Sequence, residues 1–238
     1  MSFKASRYVP LMAGGRRIGW LQPELAARLA GWPAVFTSGP EKVVLVDATG
    51  LGPAVEKLAQ EGFIPGWRNE RYRIEDLFDI ERAAARPFGL TTQAVHVNGI
   101  VGERMWLARR SATKPIDPGM LDNLVGGGVT AGLSPAQVLL KEAWEEAGIP
   151  AELARKATPG GTMSVLREVP EGVQSETISI YDLELPADWL PQNQDGEVSE
   201  FKLLTFSEVE PQVASGALTY EAALVARDYL QRRRAKGP

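Results

Sequence analysis

The chain has no cysteine and one histidine, His96, in 238 residues. The first absence excludes disulfides, thiolate metal sites and cysteine nucleophiles. The second excludes multi-histidine zinc sites. No apolar run approaches the length of a transmembrane helix. The opening MSFKASRYVPLMAGGRRIGW lacks the apolar core of a signal peptide. Basic charge is not in excess either. A formal net charge of -4 argues against broad binding to nucleic acid or to an acidic membrane, and leaves room for a local phosphate pocket. The expectation is a cytoplasmic enzyme with no membrane or nucleic-acid partner. The length suffices for one large domain or two small ones.

What is present concentrates in Gly126 to Ile149, GGGVTAGLSPAQVLLKEAWEEAGI. A glycine loop feeds a short helix whose stops can be read locally. Ser134 suits the N-cap, Pro135 the first helical position, and Gln137 completes a capping box. Gly148 suits a left-handed C-terminal cap, and Pro150 forbids continuation. Residues advance about 100° each, so Glu142, Glu145 and Glu146 share one arc. Ala136, Leu139, Leu140, Ala143 and Ala147 form another, suited to packing on a sheet. Lys141 is expected to point away from the carboxylates. The acidic arc lies at the helix C-terminus, where the macrodipole is negative and a compensating cation is required. The plain alternative is a solvated acidic face. Carboxylates as the ligands favour a hard cation, Mg²⁺ or Mn²⁺.

These residues resemble the Nudix box, G-x5-E-x7-R-E-U-x-E-E-x-G-U, with U a bulky apolar residue. Gly127 falls at the leading glycine, and Glu142, Glu145, Glu146, Gly148 and Ile149 fall on family positions. Leu133 replaces the first glutamate, Lys141 the arginine, and Ala143 is small for its position. In the family that glutamate and arginine brace the loop against the helix. Here the brace is lost while the metal face is intact. Arg109 to Ser134, Asp195 to Leu203, and the N-terminal pieces GWLQPE and FIPGWRNERYRI extend the resemblance. They are similar to a Nudix branch with an extra N-terminal domain, related to thiamine pyrophosphokinase-associated proteins. The resemblance implies an α/β fold: a Nudix-type α/β/α sandwich with a smaller N-terminal α/β domain.

The chain organises accordingly. Residues 1–87 are expected as an N-terminal α/β domain with a substrate-specificity role, and 88–238 as the Nudix hydrolase domain. In the first, helices are expected at Gln22 to Ala30 and Gly52 to Glu61, strands at Ala34 to Thr37 and Lys42 to Val46, and a helical linker at Ile80 to Arg86. In the second, strands are expected at Gln93 to Asn98, Arg104 to Arg109, Met163 to Glu168, Glu176 to Leu185 and Glu200 to Phe206. A closing helix runs from Tyr220 to Arg232. Asn98-Gly99 reads as a turn. His96 alternates with Val95 and Val97 and is expected to face out of its strand.

The resemblance implies Glu142, Glu145 and Glu146 as catalytic metal ligands, with the Gly126 carbonyl as a further one. Metal would neutralise a diphosphate and activate water. The base is open among a box glutamate, Glu176, Glu197 and Glu200. Arg109, Arg110 and Lys114 are candidates for substrate phosphates. Trp67 and Arg71 are candidates to wall a flat heterocycle, against a reading as local core with exposed arginines. Asp122 is a turn former or a substrate contact. The implied partner is a small-molecule diphosphate, thiamine diphosphate or its oxidised and damaged analogues; a homodimer is compatible with the sequence. ADP-ribose, nucleotide-sugar or dinucleotide hydrolysis and a non-catalytic sensor are the alternatives. Isopentenyl-diphosphate isomerisation needs a cysteine that is absent.

Overall fold

Residues 3–236 are described in the computed structural model. Their contacts divide into two units. The first comprises Met1–Thr92, Val129–Gly132 and Ser164–Thr177; the second comprises Gln93–Gly128, Leu133–Met163 and Ile178–Pro238.

In the first unit, β1 (Val9–Ala13) and β2 (Arg16–Leu21) form a hairpin that sequence reading did not expect. Gly14 and Gly15 make its turn at φ 56° and 79°, a region that costs other residues energy. Then come α1 (Pro23–Leu29), β3 (Phe36–Ser38), β4 (Val43–Leu45) and α2 (Leu51–Gln60). The four strands form one sheet in the order β2-β1-β4-β3, with β1 and β4 parallel. Leu51, Ala54, Val55 and Leu58 of α2 join Leu11, Phe36 and Phe88 in its core. β5 (Arg71–Ile74) and β6 (Phe78–Glu81) form a separate two-stranded sheet. The helical linker expected at Ile80 to Arg86 is therefore corrected. Ile80 pairs with Tyr72 across the hairpin and is buried, and only Arg82–Ala84 makes a single 3₁₀ turn. Cross-strand packing outweighs the local helical preference of the alanines.

A seven-stranded sheet follows. Its strands are β7 (Thr91–Val101), β8 (Arg104–Arg110), β9 (Leu121–Asn123) and β10 (Val125–Gly128). After α3 (Pro135–Ala147) and α4 (Ala151–Ala154) come β11 (Thr158–Val169), β12 (Gly172–Glu184) and β13 (Val198–Thr205). α5 (Phe206–Ser215) and α6 (Tyr220–Lys236) close the chain. The strand order is β11-β12-β7-β8-β13, with β10 paired to β7 and β9 to β8. Val209 and Val213 of α5 and Ala222, Ala226, Tyr229 and Leu230 of α6 pack with Ile100, Met105 and Leu107 of the sheet. The second unit is an α/β/α sandwich, and the first is an α/β unit. No helix among the described residues is long and apolar enough to cross a membrane.

Two expectations fail here for tertiary reasons. Asn98-Gly99 is no turn; both lie within β7, and the β7–β8 hairpin turns at Gly102 instead, with φ 55°. A Cβ at residue 99 would lie 2.2 Å from the Leu124 side chain, so glycine is there for close packing. Phe206 opens α5 rather than ending a strand. Thr205 and Glu208 form its capping box, a signal local to the sequence.

Candidate active site

The box helix forms as its caps require. The Ser134 hydroxyl accepts from the Gln137 N–H at 3.3 Å, and the Gln137 side chain accepts from the Ser134 N–H at 2.9 Å. Gly148 takes the left-handed conformation, φ 67° and ψ 25°. A Cβ there would fall 2.7 Å from the Gln192 carbonyl oxygen. The segment after β12 covers this helix end. The Gln192 N–H donates to the Ala147 carbonyl at 2.9 Å, and the Gln194 N–H to the Glu145 carbonyl at 2.8 Å. The Asn193 amide donates to the Glu145 and Glu146 carbonyls at 3.4 and 3.2 Å. Neutral donors thus satisfy carbonyls that a helix otherwise leaves open. The apolar arc departs from expectation: Val138 is buried, Ala136 exposed and Leu140 only half-buried.

Glu146 projects from this helix into the protein and is only 6% exposed. Its Oε2 accepts from the Gly126 N–H at 2.8 Å. Burial pushes its pKa well above the usual carboxylate value. The Gly126 N–H opposes this, Asp122 and Glu142 add to it, and Lys114 opposes it. Glu142 lies against the glycine loop: a Cβ at residue 127 would sit 2.4 Å from its Cγ. Its side chain is 15% exposed. Burial raises its pKa too, Lys141 works against that, and Glu145 and Glu197 add to it.

Lys141 does not point away. Its Nζ donates to Glu145 Oε2 at 2.7 Å and to Glu142 Oε1 at 3.0 Å. Lys141 and Glu145 are at i,i+4, the spacing at which helix side chains meet, and that signal was in the sequence. With Glu145 turned to the lysine, no group of three metal-capable side chains converges among the described residues. The donor set still suits a hard cation. It consists of anionic and carbonyl oxygens, and an ammonium already spans two of the carboxylates.

A small cavity beside Glu146 is lined by Arg110, Lys114, Asp122 and Glu197, among others. Arg110 Nη1 donates to Asp122 Oδ2 at 2.8 Å, and Lys114 pairs with Glu197. Asp122 is neither a turn residue nor exposed; it lies buried on β9. His96 is corrected as well. β7 is buried on both faces from Ala94 onward, so strand alternation does not turn His96 to solvent. Its Nδ1 lies 2.7 Å from Asn123 Oδ1, and Asn123 donates to Asn98 Oδ1 at 3.3 Å. The ring also lies where a Cβ at residue 126 would need to be, 3.2 Å away. Asn98, Asn123 and Asn193 were missed in sequence, where single asparagines carry no periodic signal.

The remaining candidates have the following partners. Arg109 donates to Glu200 Oε2 at 2.7 Å and to the Gly119 carbonyl at 2.8 Å, and its neighbour Arg110 lines the cavity instead. Trp67, Arg71 and Glu176 belong to the first unit. Trp67 Nε1 donates to Asn69 at 2.8 Å, and Glu176 accepts from the Thr92 hydroxyl at 3.2 Å.

Comparison with known proteins shows the family. A family model for the NUDIX domain matches residues 90–224. A domain of unknown function, DUF4743, matches residues 1–92. The chain is 33% identical to "Nudix hydrolase 20, chloroplastic" of Arabidopsis thaliana, over 97% of this chain and 69% of that protein. It is 40% identical to "Nudix hydrolase 24, chloroplastic" of the same plant, over 75% of this chain and 52% of that protein. The chain thus spans about two-thirds of one relative and half of the other. A solved Deinococcus radiodurans protein superposes with a TM-score of 0.53 at 24% identity, covering 67% of this chain and 98% of its own. At that identity the likeness concerns the fold alone.

Proposed function

The chain belongs to the Nudix hydrolase family, and from that premise we propose that it is a metal-dependent diphosphatase reacting at Glu142, Glu145, Glu146 and Gly126. Enzymes of the family generally need a divalent cation, typically Mg²⁺. The observation that carries the reading is Glu146: a buried carboxylate held by the Gly126 N–H, beside the half-hidden Glu142. Buried negative charge without a cation is costly, and a cation held there removes the cost. Glu142, Glu145, Glu146 and the Gly126 carbonyl would hold it. When bound, such an ion neutralises diphosphate charge and lowers the pKa of a water.

Lys114 and Arg110 line the cavity next to Glu146 and are the cations available to phosphate oxygens there. Glu197 lines the same cavity and is the favoured base. It would take the proton of a water attacking one phosphorus. The P–O bond to the bridging oxygen breaks, leaving a phosphate monoester and phosphate. Thiamine diphosphate and its damaged analogues are the first substrates to test, on the strength of the Arg109 to Ser134 and Asp195 to Leu203 resemblance. ADP-ribose, a nucleotide sugar and a dinucleotide complete the panel.

Phosphate release with Mg²⁺ and with Mn²⁺ across that panel tests the proposal. Glu146→Gln should lower the rate by about 10²-fold or more, since it removes charge at the reacting centre. Turnover like the wild type in that variant sinks the site. Tight binding without hydrolysis across the panel would point to a sensor.

A further inference from the structure

The first unit includes Val129–Gly132, the apex of the glycine loop. Two hydrogen bonds hold it there. The Thr130 hydroxyl donates to Glu70 Oε1 at 2.6 Å, and the Ala131 N–H donates to the Arg71 carbonyl at 2.7 Å. Thr130 also forms an antiparallel bridge with Tyr72. Glu70 is itself fixed. Its Oε2 accepts from Arg82 Nη1 at 2.6 Å, and its carbonyl accepts from the Arg82 N–H at 2.7 Å. The Arg82 guanidinium in turn lies 5.4 Å over the Tyr72 ring. At 28% exposure the Glu70 side chain is clamped between Arg82 and Thr130, at the base of the β5–β6 hairpin.

Gly126, Gly127 and Gly128 are paired to β7 as β10, and the chain runs on from them through Val129 to Gly132, where glycine gives the backbone more freedom than any other residue. Yet the Gly126 amide must stay on Glu146. Glu146 holds Gly126 from the box helix, but the two positions that brace the loop in the family do not reach it here. Leu133 has no polar atom, and Lys141 is committed to Glu142 and Glu145.

We propose that the Glu70–Thr130 hydrogen bond, together with the Arg71–Ala131 backbone bond, is the brace of the glycine loop. Glu70 and Thr130 are then positioning residues, acting on the reaction through Gly126. The N-terminal part thereby has a task separate from substrate choice. The proposal rests on the reading that hydrolysis occurs at Gly126 and Glu146.

The test is amide hydrogen exchange at Gly126–Ala131, alongside kcat and KM, in Thr130→Val, Thr130→Ser and Glu70→Ala. Thr130→Val keeps the shape and removes the hydroxyl. It should speed exchange at Gly126 by about tenfold, the scale of one lost hydrogen bond to a charged group. It should lower kcat by a similar factor with KM little changed. Thr130→Ser, which keeps the donor, should restore both. The double variant with Glu70→Ala should be no worse than Glu70→Ala alone, because Thr130 acts through Glu70. Gly126 exchange in Thr130→Val equal to the wild type overturns the proposal, as does a slower kcat that Thr130→Ser fails to restore. If the wild type hydrolyses no diphosphate, the proposed function falls by itself, and exchange at Gly126 still decides the brace.

Discussion

Replacing Lys141 with methionine should tighten divalent-cation binding at the carboxylates. Methionine keeps an unbranched stem and a good helix propensity, so the change removes little besides the ammonium. That ammonium bonds Glu145 at 2.7 Å and Glu142 at 3.0 Å. Burial alone would lower the Lys141 pKa; the bonds to Glu145 and Glu142 more than reverse it, and the net shift is upward. Lys141 therefore carries its charge at any working pH, and an entering cation must displace it from both partners. Its side chain is 45% exposed and that of Glu145 38%, so solvent screens the pairs. Exposed pairs are worth some 0.2–1 kcal/mol each, about 1 kcal/mol for two. That corresponds to roughly fivefold in affinity. Repulsion between the retained ammonium and a dication acts in the same direction. Titration with Mn²⁺, following the free ion by electron paramagnetic resonance, should give a Kd about fivefold lower in Lys141→Met. In thermal melts the metal-free variant should fall below the metal-free wild type, because Glu142 and Glu145 lose their counter-ion. Saturating Mg²⁺ should then raise its Tm by more than it raises the wild type's. Unchanged or weaker Mn²⁺ binding would refute the argument: Lys141 would not be standing where a cation binds.

Two further changes probe the same region. Gly127→Ala places a methyl 2.4 Å from Glu142 Cγ and 2.5 Å from its Cδ, so that carboxylate must move. We expect a stability loss of about 1–3 kcal/mol by denaturant titration, with Mn²⁺ affinity and turnover falling together; a folded variant that keeps both would show that Glu142 is not needed in its place. Glu146 governs pH dependence. Its pKa is raised in the folded state, chiefly by burial, so the folded form holds the proton more tightly than the unfolded one. Its stabilising effect is complete below the unfolded pKa and is lost as pH rises through the folded one. In excess chelator the stability gap between wild type and Glu146→Gln should therefore shift in favour of the variant from pH 4 to pH 8, and a gap that stays constant would show Glu146 is not buried as a titrating acid.

The parts of this protein that sequence makes legible are those fixed by chemistry within a few residues. Ser134, Pro135, Gln137 and Gly148 cap α3 as read, because caps are local bonds. In β12, Ile178 and Ile180 alternate as a strand requires, and both are buried. What escaped is set by distant neighbours. Gly19 is in β2 because a Cβ would lie 2.3 Å from the Phe88 carbonyl, a reason no local window holds. His96 and Asn98 look like half-exposed strand and turn residues until β7 is found buried on both faces. At the site, the carboxylate arc was legible and its lysine partner was misjudged, although the i,i+4 spacing stood in the sequence. The cavity wall of Arg110, Asp122 and Glu197 joins β8, β9 and the residue before β13, a proximity that only strand pairing creates.

The cap on α3 also sets a timetable. The asparagine that satisfies the Glu145 and Glu146 carbonyls lies 48 and 47 residues further along the chain. At a synthesis rate of about 5–20 residues per second, the ribosome adds that stretch over several seconds. During that interval the helix end carries its acidic residues on a pole of the same sign, with its carbonyls open. The final turn of α3 is therefore among the late parts of the protein to settle. A lesion in Gln192–Gln194 would reach the carboxylates by leaving that turn unfinished, without altering any residue that meets substrate.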